Sequence, residues 1–376
     1  MTNDRTTGCA ALLAGLPNMT PRRLRALLAD EEPEAAWRRA TSGRVGDLLA
    51  LRRPGATKEE LPGLAATWRA HGDADPEAVG ARHRLAGVEV RLVADPGYPE
   101  ALRSDHEPPA VAFLHGSVEV LDGPRVAVIG TRRCTGAGAA VARDLGRDLA
   151  AAGVAVVSGL ALGIDGAAHA GALAVGGAGR APIGVIGCGH DRPYPPRHRS
   201  LWTAVRERGL LLGECPLGTA PAPWRFPARN RLIAALADVV VVVESHAAGG
   251  SLLTVQEAID RSVPVLAVPG SVRSPASVGS NQLLADGCHP VRDVDDVLVA
   301  LGLHASSRRG PIDHRPPPEA IAKDVLEAIG WEPATFEQVV VRTGRPVGEV
   351  SLALWSLERD GWVAIDGTWY ERVGRS

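Results

Sequence analysis

Residues 85–302 alternate short runs of consecutive apolar side chains with longer segments in which apolar positions recur every three or four residues. A short apolar run bounded by glycine is typical of a strand buried on both faces, and the longer period is that of an amphipathic helix. The alternation predicts a parallel sheet covered by helices on both faces. The predicted strands are 88–93, 111–114, 126–129, 154–157, 183–186, 210–213, 239–243 and 263–268. The predicted helices are 136–152, 164–175, 198–208, 229–237, 252–260 and 280–286.

The most informative stretch is residues 125–163, which predicts a strand, a helix and a second strand. A right-handed crossover places the carboxyl ends of the two strands at one edge of the sheet, where open sheets of this kind bind ligands. The loops 130–133 and 158–163 fall at that edge. Free backbone N–H groups in such loops attract phosphate, so an anionic ligand is expected there.

The loop after the first of these strands matches neither common nucleotide motif. It lacks the Gly-Lys-Ser/Thr of a phosphate-binding P-loop, and Gly130, Gly136 and Gly138 are wrongly spaced for a dinucleotide fingerprint. It does carry Arg132 and Arg133. Arginine offers a planar fork to phosphate and a flat face to a nucleobase. A plain tight turn remains the alternative interpretation of this loop alone.

The first 75 residues are predicted to be helical, with a helix, a tight turn and a second helix around residues 12–24. Thr20 is a predicted N-cap and Pro21 occupies the favoured first helical position. The arrangement is similar to a helix-hairpin-helix, which can hold a DNA backbone through amide groups. Asn18 and Met19 replace the usual paired glycines, so a helical packing module is the alternative. A charged connection over 72–99, with one short strand, leads into the large domain.

The C-terminal part begins after a linker predicted at 303–318, where proline, serine and charge replace any periodic pattern. Helices at 319–329, 335–343 and 346–359 precede two short strands, 362–365 and 368–371, around an Asp366-Gly367 turn. Three helices and a hairpin predict a winged helix over 319–376. Its third helix is acidic or apolar where base contacts would be made. We therefore expect a protein-contact or stabilising role rather than sequence recognition.

Charge limits how the chain can attract a nucleic acid. The formal net charge of the 376 residues is −2, and nearly all positive charge is arginine, because the only lysines are Lys58 and Lys323. No global basic field is available, so a nucleic-acid site must be a local cluster. Three clusters are expected in loops next to strand carboxyl ends: Arg132 and Arg133; Arg192, Arg197, His198 and Arg199; Arg225, Arg229 and Arg231.

Cofactors and membrane segments are not expected. The cysteines Cys9, Cys134, Cys188, Cys215 and Cys288 show no paired spacing for zinc or redox exchange, so no metal is predicted. No apolar run approaches the ~18 residues that span a membrane, and no signal peptide is evident. A cytoplasmic protein without cofactor is the expectation.

An enzymatic interpretation rests on carboxylates near the predicted ligand edge. Asp165 and His169 lie four residues apart on a helix and could pair, and Glu214 and Glu244 each end a strand. The stretch 248–254, followed by Glu257, resembles the Pro-Gly-Gly-x-Gly-Thr loop of cytokinin-activating phosphoribohydrolases, but its proline is absent. A nucleotide-processing enzyme of that Rossmann group is the runner-up function. Asp165 as a helix cap and His169 as a core residue are the structural alternatives.

Five strings together resemble the DprA/Smf family of DNA-processing proteins. They are, in family order, GTRRCTGAG, SGLALGIDGAAHAGAL, FPARNRLIAALAD, ESHAAGGSLLTVQEAIDRSVPVLAVPGS and GSNQLLADG, between about residues 98 and 291. The resemblance implies an extended Rossmann-like α/β domain over 85–302. It also implies an N-terminal helical domain (helix-hairpin-helix or SAM-like) over 1–75 and a C-terminal winged helix.

The implied function is binding of single-stranded DNA without catalysis. Family members protect incoming DNA and help load a RecA-type recombinase in natural transformation. Single-strand binding needs a cationic groove, amide donors for phosphate and flat surfaces for bases. The resemblance carries groove roles onto Thr131, Arg132, Phe226, Arg229, Asn230, Arg231, Gly250 and Ser251. The loops add Gly130, Gly159, Gly163, Gly187, Gly189, Gly249, Gly279, Ser280 and Asn281.

A homodimer is expected from two apolar segments near the sheet edge. Residues 259–269 and 282–285 are very apolar for a chain with almost no net charge. Exposed apolar surface there would favour a two-fold interface. The alternative is that the domain's own helices cover both segments.

Overall fold

The computed structural model describes residues 3–43, 60–303, 315–330 and 332–373. Residues 304–314, the larger part of the predicted linker, lie outside the described residues. The strands are β1 Glu89–Leu92, β2 Val111–Gly116, β3 Arg125–Ile129, β4 Ala155–Ser158, β5 Ile183–Ile186, β6 Leu210–Gly213, β7 Val239–Val242, β8 Val265–Ala267, β9 His289–Pro290, β10 Ala334–Thr335, β11 Val363–Asp366 and β12 Trp369–Arg372.

Helices fill the intervals between the strands. They are α1 Asp4–Gly15, α2 Pro21–Leu28, α3 Pro33–Thr41, α4 Glu60–Arg69, α5 Pro76–Leu85, α6 Glu100–Arg103, α7 Gly136–Ala151, α8 Ile164–Ala174, α9 Arg199–Arg208, α10 Arg225–Leu236, α11 Ser251–Ile259, α12 Val278–Ala285, α13 Val294–Ala300, α14 Ala320–Ile329, α15 Phe336–Thr343 and α16 Val347–Arg359. The strand-helix alternation predicted for the large domain is confirmed, with most boundaries within two residues.

The large domain is built on a nine-stranded sheet in the order β1-β2-β6-β5-β4-β3-β7-β8-β9. The strands from β6 to β9 pair in parallel, and β1 and β2 add an antiparallel edge. Apolar clusters cover both faces of the central strands, which explains why these strands are continuous apolar runs. The predicted parallel α/β class is confirmed. Strand β9 escaped prediction because it spans two exposed residues.

Helix α10 begins four residues before its predicted start at residue 229. The prediction began the helix after Pro227, but a proline in the first turn removes no intrahelical hydrogen bond. The N-cap is Trp224. As a consequence, Arg225, Phe226, Arg229 and Arg231 project from one helix. The prediction that the cluster of Arg225, Arg229 and Arg231 lies in a loop is wrong, whereas the predicted helix 229–237 correctly contained the last two.

The N-terminal helices pack directly on the antiparallel edge of the sheet. The predicted helical hairpin is confirmed: the Thr20 hydroxyl accepts the Arg23 N–H at 3.3 Å, and Trp68 Nε1 donates to the Pro17 carbonyl at 2.8 Å. Helix α5 lies within the predicted connection and escaped prediction. It crosses α1 closely, since a Cβ at Gly80 would lie 1.7 Å from the Asp4 carbonyl oxygen. The apolar cluster shared by these helices reaches β2 at Phe113.

The predicted winged helix is also confirmed. Helices α14, α15 and α16 enclose a small apolar core, and β11 and β12 form the wing hairpin. Strand β10 adds a short third strand to that hairpin. Helix α16 exposes Leu352 and Trp355, as its apolar outer positions indicated.

Candidate nucleic-acid interface

A cavity of about 430 Å³ opens at the carboxyl edge of the central sheet. Strand β4, which follows β3 in the chain, lies on one side of β3 in the sheet, and β7 lies on the other side. The strand order therefore reverses at β3, and the cavity lies at this point. Open α/β sheets bind ligands at such switch points. Loops after β3, β4 and β7 form the cavity together with the first turns of α10 and α11.

Nine predicted site residues line this cavity. They are Gly130, Thr131, Arg132, Phe226, Arg229, Asn230, Gly249, Gly250 and Ser251. The structure adds Arg133, Ala161, Asp165, Pro227, Ile233, His246, Ala248, Leu253 and Thr254, together with Ile129. The combination places three guanidinium groups and one phenyl ring around the opening, with a single carboxylate.

Three of the predicted glycines lie behind the cavity wall and allow close packing. A Cβ at Gly159 would lie 2.5 Å from the Arg229 guanidinium, and one at Gly163 would lie 2.3 Å from the Thr131 carbonyl oxygen. Gly163 also has a φ of 79°, which favours glycine. A Cβ at Gly187 would lie 3.3 Å from the Phe226 ring. These glycines shape the groove from behind.

The remaining predicted residues do not line the cavity. Gly279 N donates to the Ser245 carbonyl at 2.6 Å, and buried Ser280 donates to the Ser277 carbonyl at 3.2 Å. Asn281 makes two hydrogen bonds to the Gly270 backbone. A Cβ at Gly189 would meet the Asp191 carboxylate at 2.7 Å. Their observed contacts are structural.

Arg231 also points away from the cavity. Its guanidinium donates to Glu214 at 2.5 Å and to the Glu107 carbonyl at 2.7 Å, and both charged side chains are largely buried. Such a pair is costly to break, because either partner alone would be a buried, uncompensated charge. The structure therefore places Arg231 in a link between α10 and the antiparallel edge.

Arg132 stands at the opening of the cavity. Its guanidinium carbon lies 5.6 Å from the centre of the Phe226 ring, and Tyr194 stacks on the same ring at 5.2 Å. Among the described residues, neither Arg132 nor Arg133 has a salt-bridge partner. Both are exposed, so their charge is available to an anionic ligand.

Arg229 forms the floor of the cavity and is 6% exposed. Its Nη1 donates to the carbonyls of Gly159, at 3.0 Å, and Val185. Asp165 accepts the N–H groups of Gly159 at 3.1 Å and Ala161 at 3.4 Å. Burial lowers the pKa of Arg229 to about 10, and burial raises the pKa of Asp165 although Arg229 opposes that change. The two groups hold the loop after β4 in place.

The amino end of α7 is already occupied by a carboxylate. Glu244 accepts the Thr135 N–H at 2.9 Å and its hydroxyl at 2.7 Å, and the Thr135 hydroxyl caps Gly138 N at 2.9 Å. A Cβ at Gly138 would lie 2.3 Å from the Glu244 carboxyl carbon. The Glu244 carboxylate therefore occupies the helix amino end at which a Rossmann fold binds a phosphate.

The amino end of α11 is open by contrast. Its N-cap, Gly250, provides no side-chain hydrogen bond, and Ser251 turns its hydroxyl to Ser245 at 2.9 Å. Gly249, Gly250 and Ser251 face the cavity. The first N–H groups and the helix dipole there suit a phosphate group.

The other candidate catalytic groups have internal partners. Glu257 pairs with Arg261 at 2.6 Å, and buried Arg261 also pairs with Asp105 at 2.7 Å. His169 Nε2 donates to the Ile183 carbonyl at 3.2 Å rather than to Asp165. The predicted Asp165 cap is replaced by contacts to the preceding loop. This arrangement favours binding over proton transfer.

Sequence reasoning missed two aromatic side chains near the groove. Tyr194 is 39% exposed and Trp224 is 48% exposed. Each lies in a proline-rich loop at the carboxyl side of the sheet. An aromatic residue in such a loop is a candidate for base stacking, and this sequence feature could have identified both. Within the described ranges, no group of three or more His, Cys, Asp or Glu side chains could hold a metal ion. No described helix is both long and apolar enough to cross a membrane.

Comparison with known sequences supports one family. The family model for DNA recombination-mediator protein A matches residues 89–302, and that for the DprA winged helix domain matches residues 313–366. Protein Smf of Synechocystis is 31% identical over 327 residues, which are 77% of this chain and 81% of the relative. Protein Smf of Escherichia coli is 34% identical over 286 residues, 74% of this chain and 76% of the relative.

Solved structures agree with the sequence comparison. DNA processing protein A from Streptococcus pneumoniae superposes with a TM-score of 0.64 at 29% identity, covering 80% of this chain and 98% of its own. The Helicobacter pylori protein, solved to describe its single-stranded DNA binding mode, has a TM-score of 0.51 at 30% identity and covers 57% and 95%. With the family models, these matches show that the chain belongs to the DprA/Smf family of DNA-processing proteins.

Proposed function

We propose that the chain binds single-stranded DNA in the cavity at the switch point of the sheet. The observation that carries this proposal is the convergence of Arg132, Arg133 and Arg229 on the open amino end of α11. Arginine forks and helix N–H groups both recognise phosphate. The chain has a net charge of −2, so this local cluster rather than a global field attracts the ligand.

The aromatic groups favour a single strand over a duplex. Phe226 and Tyr194 stack on each other beside the Arg132 guanidinium, and the exposed Tyr194 offers an aromatic ring face. Bases of a single strand can stack on such faces, whereas bases of a duplex are already stacked on one another. The single-strand binding mode described for the H. pylori relative supports the same choice.

We further propose that binding is not accompanied by catalysis. Glu244, Glu257 and Glu214 hold the protein's own backbone or arginine groups, so a general base would have to break these contacts. The family resemblance supports three additional proposals. The bound strand is passed to a RecA-type recombinase in natural transformation, the protein acts in the cytoplasm, and it does so as a homodimer.

Titrations of the purified protein with three ligands test the proposed function. Fluorescence anisotropy should show tight binding of labelled oligothymidylate, weak binding of a duplex of equal length and no competition by mononucleotides. Duplex binding as tight as single-strand binding would contradict the proposal. Release of base from nucleoside monophosphates would instead favour a phosphoribohydrolase-like enzyme.

A further inference from the structure

The first turn of α10 separates the DNA cavity from a second cleft. This cleft lies between α10 and the N-terminal helical hairpin. Its lining includes Gly187, Glu214, Cys215, Trp224, Arg225 and Arg229. Phe226 lines the cavity, Trp224 lines the cleft, and Arg229 lines both.

Among the tryptophans described within residues 3–303, Trp224 alone is exposed. Trp37, Trp68 and Trp202 are at most 6% exposed, whereas Trp224 is 48% exposed at the opening of the cleft. The Arg225 guanidinium carbon lies 4.5 Å from the centre of the Trp224 ring. An indole paired with a guanidinium offers a stacking surface for a base and a charge for its phosphate.

Neither Arg225 nor Arg229, which both line the cleft, has a salt-bridge partner among the described residues. Arg225 donates Nη1 to the Cys215 sulfur at 3.4 Å, which is a weak acceptor without a full charge, and its buried Nε has no partner among the described residues. The carboxylate of Glu214 is paired with Arg231. Arg229, 6% exposed, likewise has an Nε for which the described part of the chain provides no partner. Unsatisfied buried donors are rare in proteins and call for an explanation.

The cavity and the cleft lie on opposite sides of the amino end of α10. Two residues along a helix turn the side chain by about 200°, so Trp224 and Phe226 project to opposite sides of Arg225. Gly187 permits this end of the helix to approach the end of β5, because a Cβ there would lie 3.3 Å from the Arg225 carbonyl oxygen. A chain that leaves the cavity over Phe226 therefore meets Trp224 next.

We propose that Trp224 and Arg225 form a second nucleotide subsite, which carries single-stranded DNA from the cavity toward the helical hairpin. Trp224 stacks one base, and Arg225 binds an adjacent phosphate. This inference rests on the proposed binding of single-stranded DNA. With this subsite the bound strand extends beyond the cavity, and the N-terminal helices form one wall of its path.

The test compares short and long oligothymidylates, about 6 and about 20 nucleotides, on the full chain. Trp224→Ala should weaken binding of the long oligomer about tenfold, equivalent to ~1.4 kcal/mol, and change binding of the short one less than about twofold. Trp224→Tyr should keep most of the affinity. Trp355→Ala is the matched control, because Trp355 is 60% exposed and lies 5.1 Å from Arg359 on the winged helix.

Three outcomes would overturn the subsite. They are unchanged binding of the long oligomer by Trp224→Ala, an equal loss for both lengths, and an equal loss in Trp355→Ala. Failure of the proposed function is distinct, because the unsubstituted chain would then bind neither oligomer.

If Trp224→Ala does not fold, photo-cross-linking of the unsubstituted chain to iodouracil-containing oligomers tests the subsite instead. A peptide adduct at Trp224 supports the subsite, and adducts confined to the cavity residues contradict it.

Discussion

Two pairs of arginines in the described part of the chain lie in opposite environments. Arg231 and Arg261 are buried in ion pairs that join distant segments. Arg132 and Arg133 are exposed beside the cavity with no salt-bridge partner among the described residues. Only the second pair can exchange water for phosphate without breaking a structural contact.

Arg132→Ala should therefore lower the affinity for single-stranded DNA by ~1.5–3 kcal/mol, the cost of a lost hydrogen bond to a charged group. Arg132→Lys should retain only part of the wild-type affinity, because lysine lacks the planar guanidinium fork that also lies near Phe226. Equilibrium titration measures both. Arg206→Ala is the control, since Arg206 pairs with Glu207 on α9 away from the cavity. Unchanged affinity in Arg132→Ala would remove this residue from the site.

Glu244 is predicted to matter for stability and not for turnover. Its carboxylate is 7% exposed and accepts two hydrogen bonds from Thr135 at the start of α7. Glu244→Gln leaves a single, uncharged acceptor oxygen where the carboxylate accepts two hydrogen bonds, which should destabilise the fold by ~1–3 kcal/mol. Chemical denaturation measures this change. Normal stability combined with loss of a nucleotide-cleaving activity would contradict the prediction and identify Glu244 as a catalytic base.

Among the elements, α8 and the loop after β5 each bury a neutral histidine. His169 of α8 donates to the Ile183 carbonyl, and His190 donates to the Phe113 carbonyl at 3.1 Å. Neither Nδ1 atom has a hydrogen-bond partner within the described ranges. Burial lowers the pKa of His169 to about 4 and that of His190 to about 3. Protonation would place an uncompensated charge against the sheet.

The folded state should accordingly lose stability as the pH falls below about 6.5, where histidines of the unfolded chain begin to bind protons. The loss continues down to the folded pKa values, and each histidine should contribute on the order of 1–3 kcal/mol. Urea denaturation between pH 7.5 and 5 measures it. His169→Gln should reduce the pH dependence, whereas His71→Gln, at an exposed position, should not. An unchanged pH dependence in His169→Gln would show that this buried ring is not responsible.

For the whole molecule, the near-zero net charge makes DNA binding depend on a few local contacts. With roughly three to five phosphates neutralised, the logarithm of affinity should fall against the logarithm of salt concentration with a slope of about −2 to −3.5. A titration series in sodium chloride measures this slope. A much steeper slope would indicate that the DNA contacts more basic residues than those of the cavity and of the cleft between α10 and the N-terminal hairpin. A slope near zero would contradict phosphate recognition.

The homodimer prediction concerns the sheet edge near α11 and α12. The structure buries Leu266 and Ala267 of the apolar segment within β8, but leaves Ile259 56% exposed and Val278 45% exposed. Ile259→Glu should therefore convert a dimer into a monomer in light scattering at micromolar concentration. Leu352→Glu is the control, because Leu352 is 72% exposed on the winged helix. Dissociation by Leu352→Glu alone would move the interface to that domain.

Local sequence was sufficient for the central strands of the sheet and for placing Arg132 at its carboxyl edge. Strands β5 and β6 match their predicted bounds, because a strand buried on both faces must consist of apolar residues whatever its neighbours. Arg132 was predicted at the ligand edge because chain direction alone places a loop at the carboxyl end of its strand. Helix α5 and strand β9 lacked such a pattern and were not predicted.

The partners of the charged side chains depend on long-range packing. Arg229 and Arg231 lie two residues apart on α10, yet one lines the cavity and the other pairs with Glu214. Two residues of helix turn a side chain to the opposite face, so each one's environment is set by elements remote in the chain. Glu244 likewise follows a strand as predicted, but its role in holding α7 arises only when β7 lies beside β3.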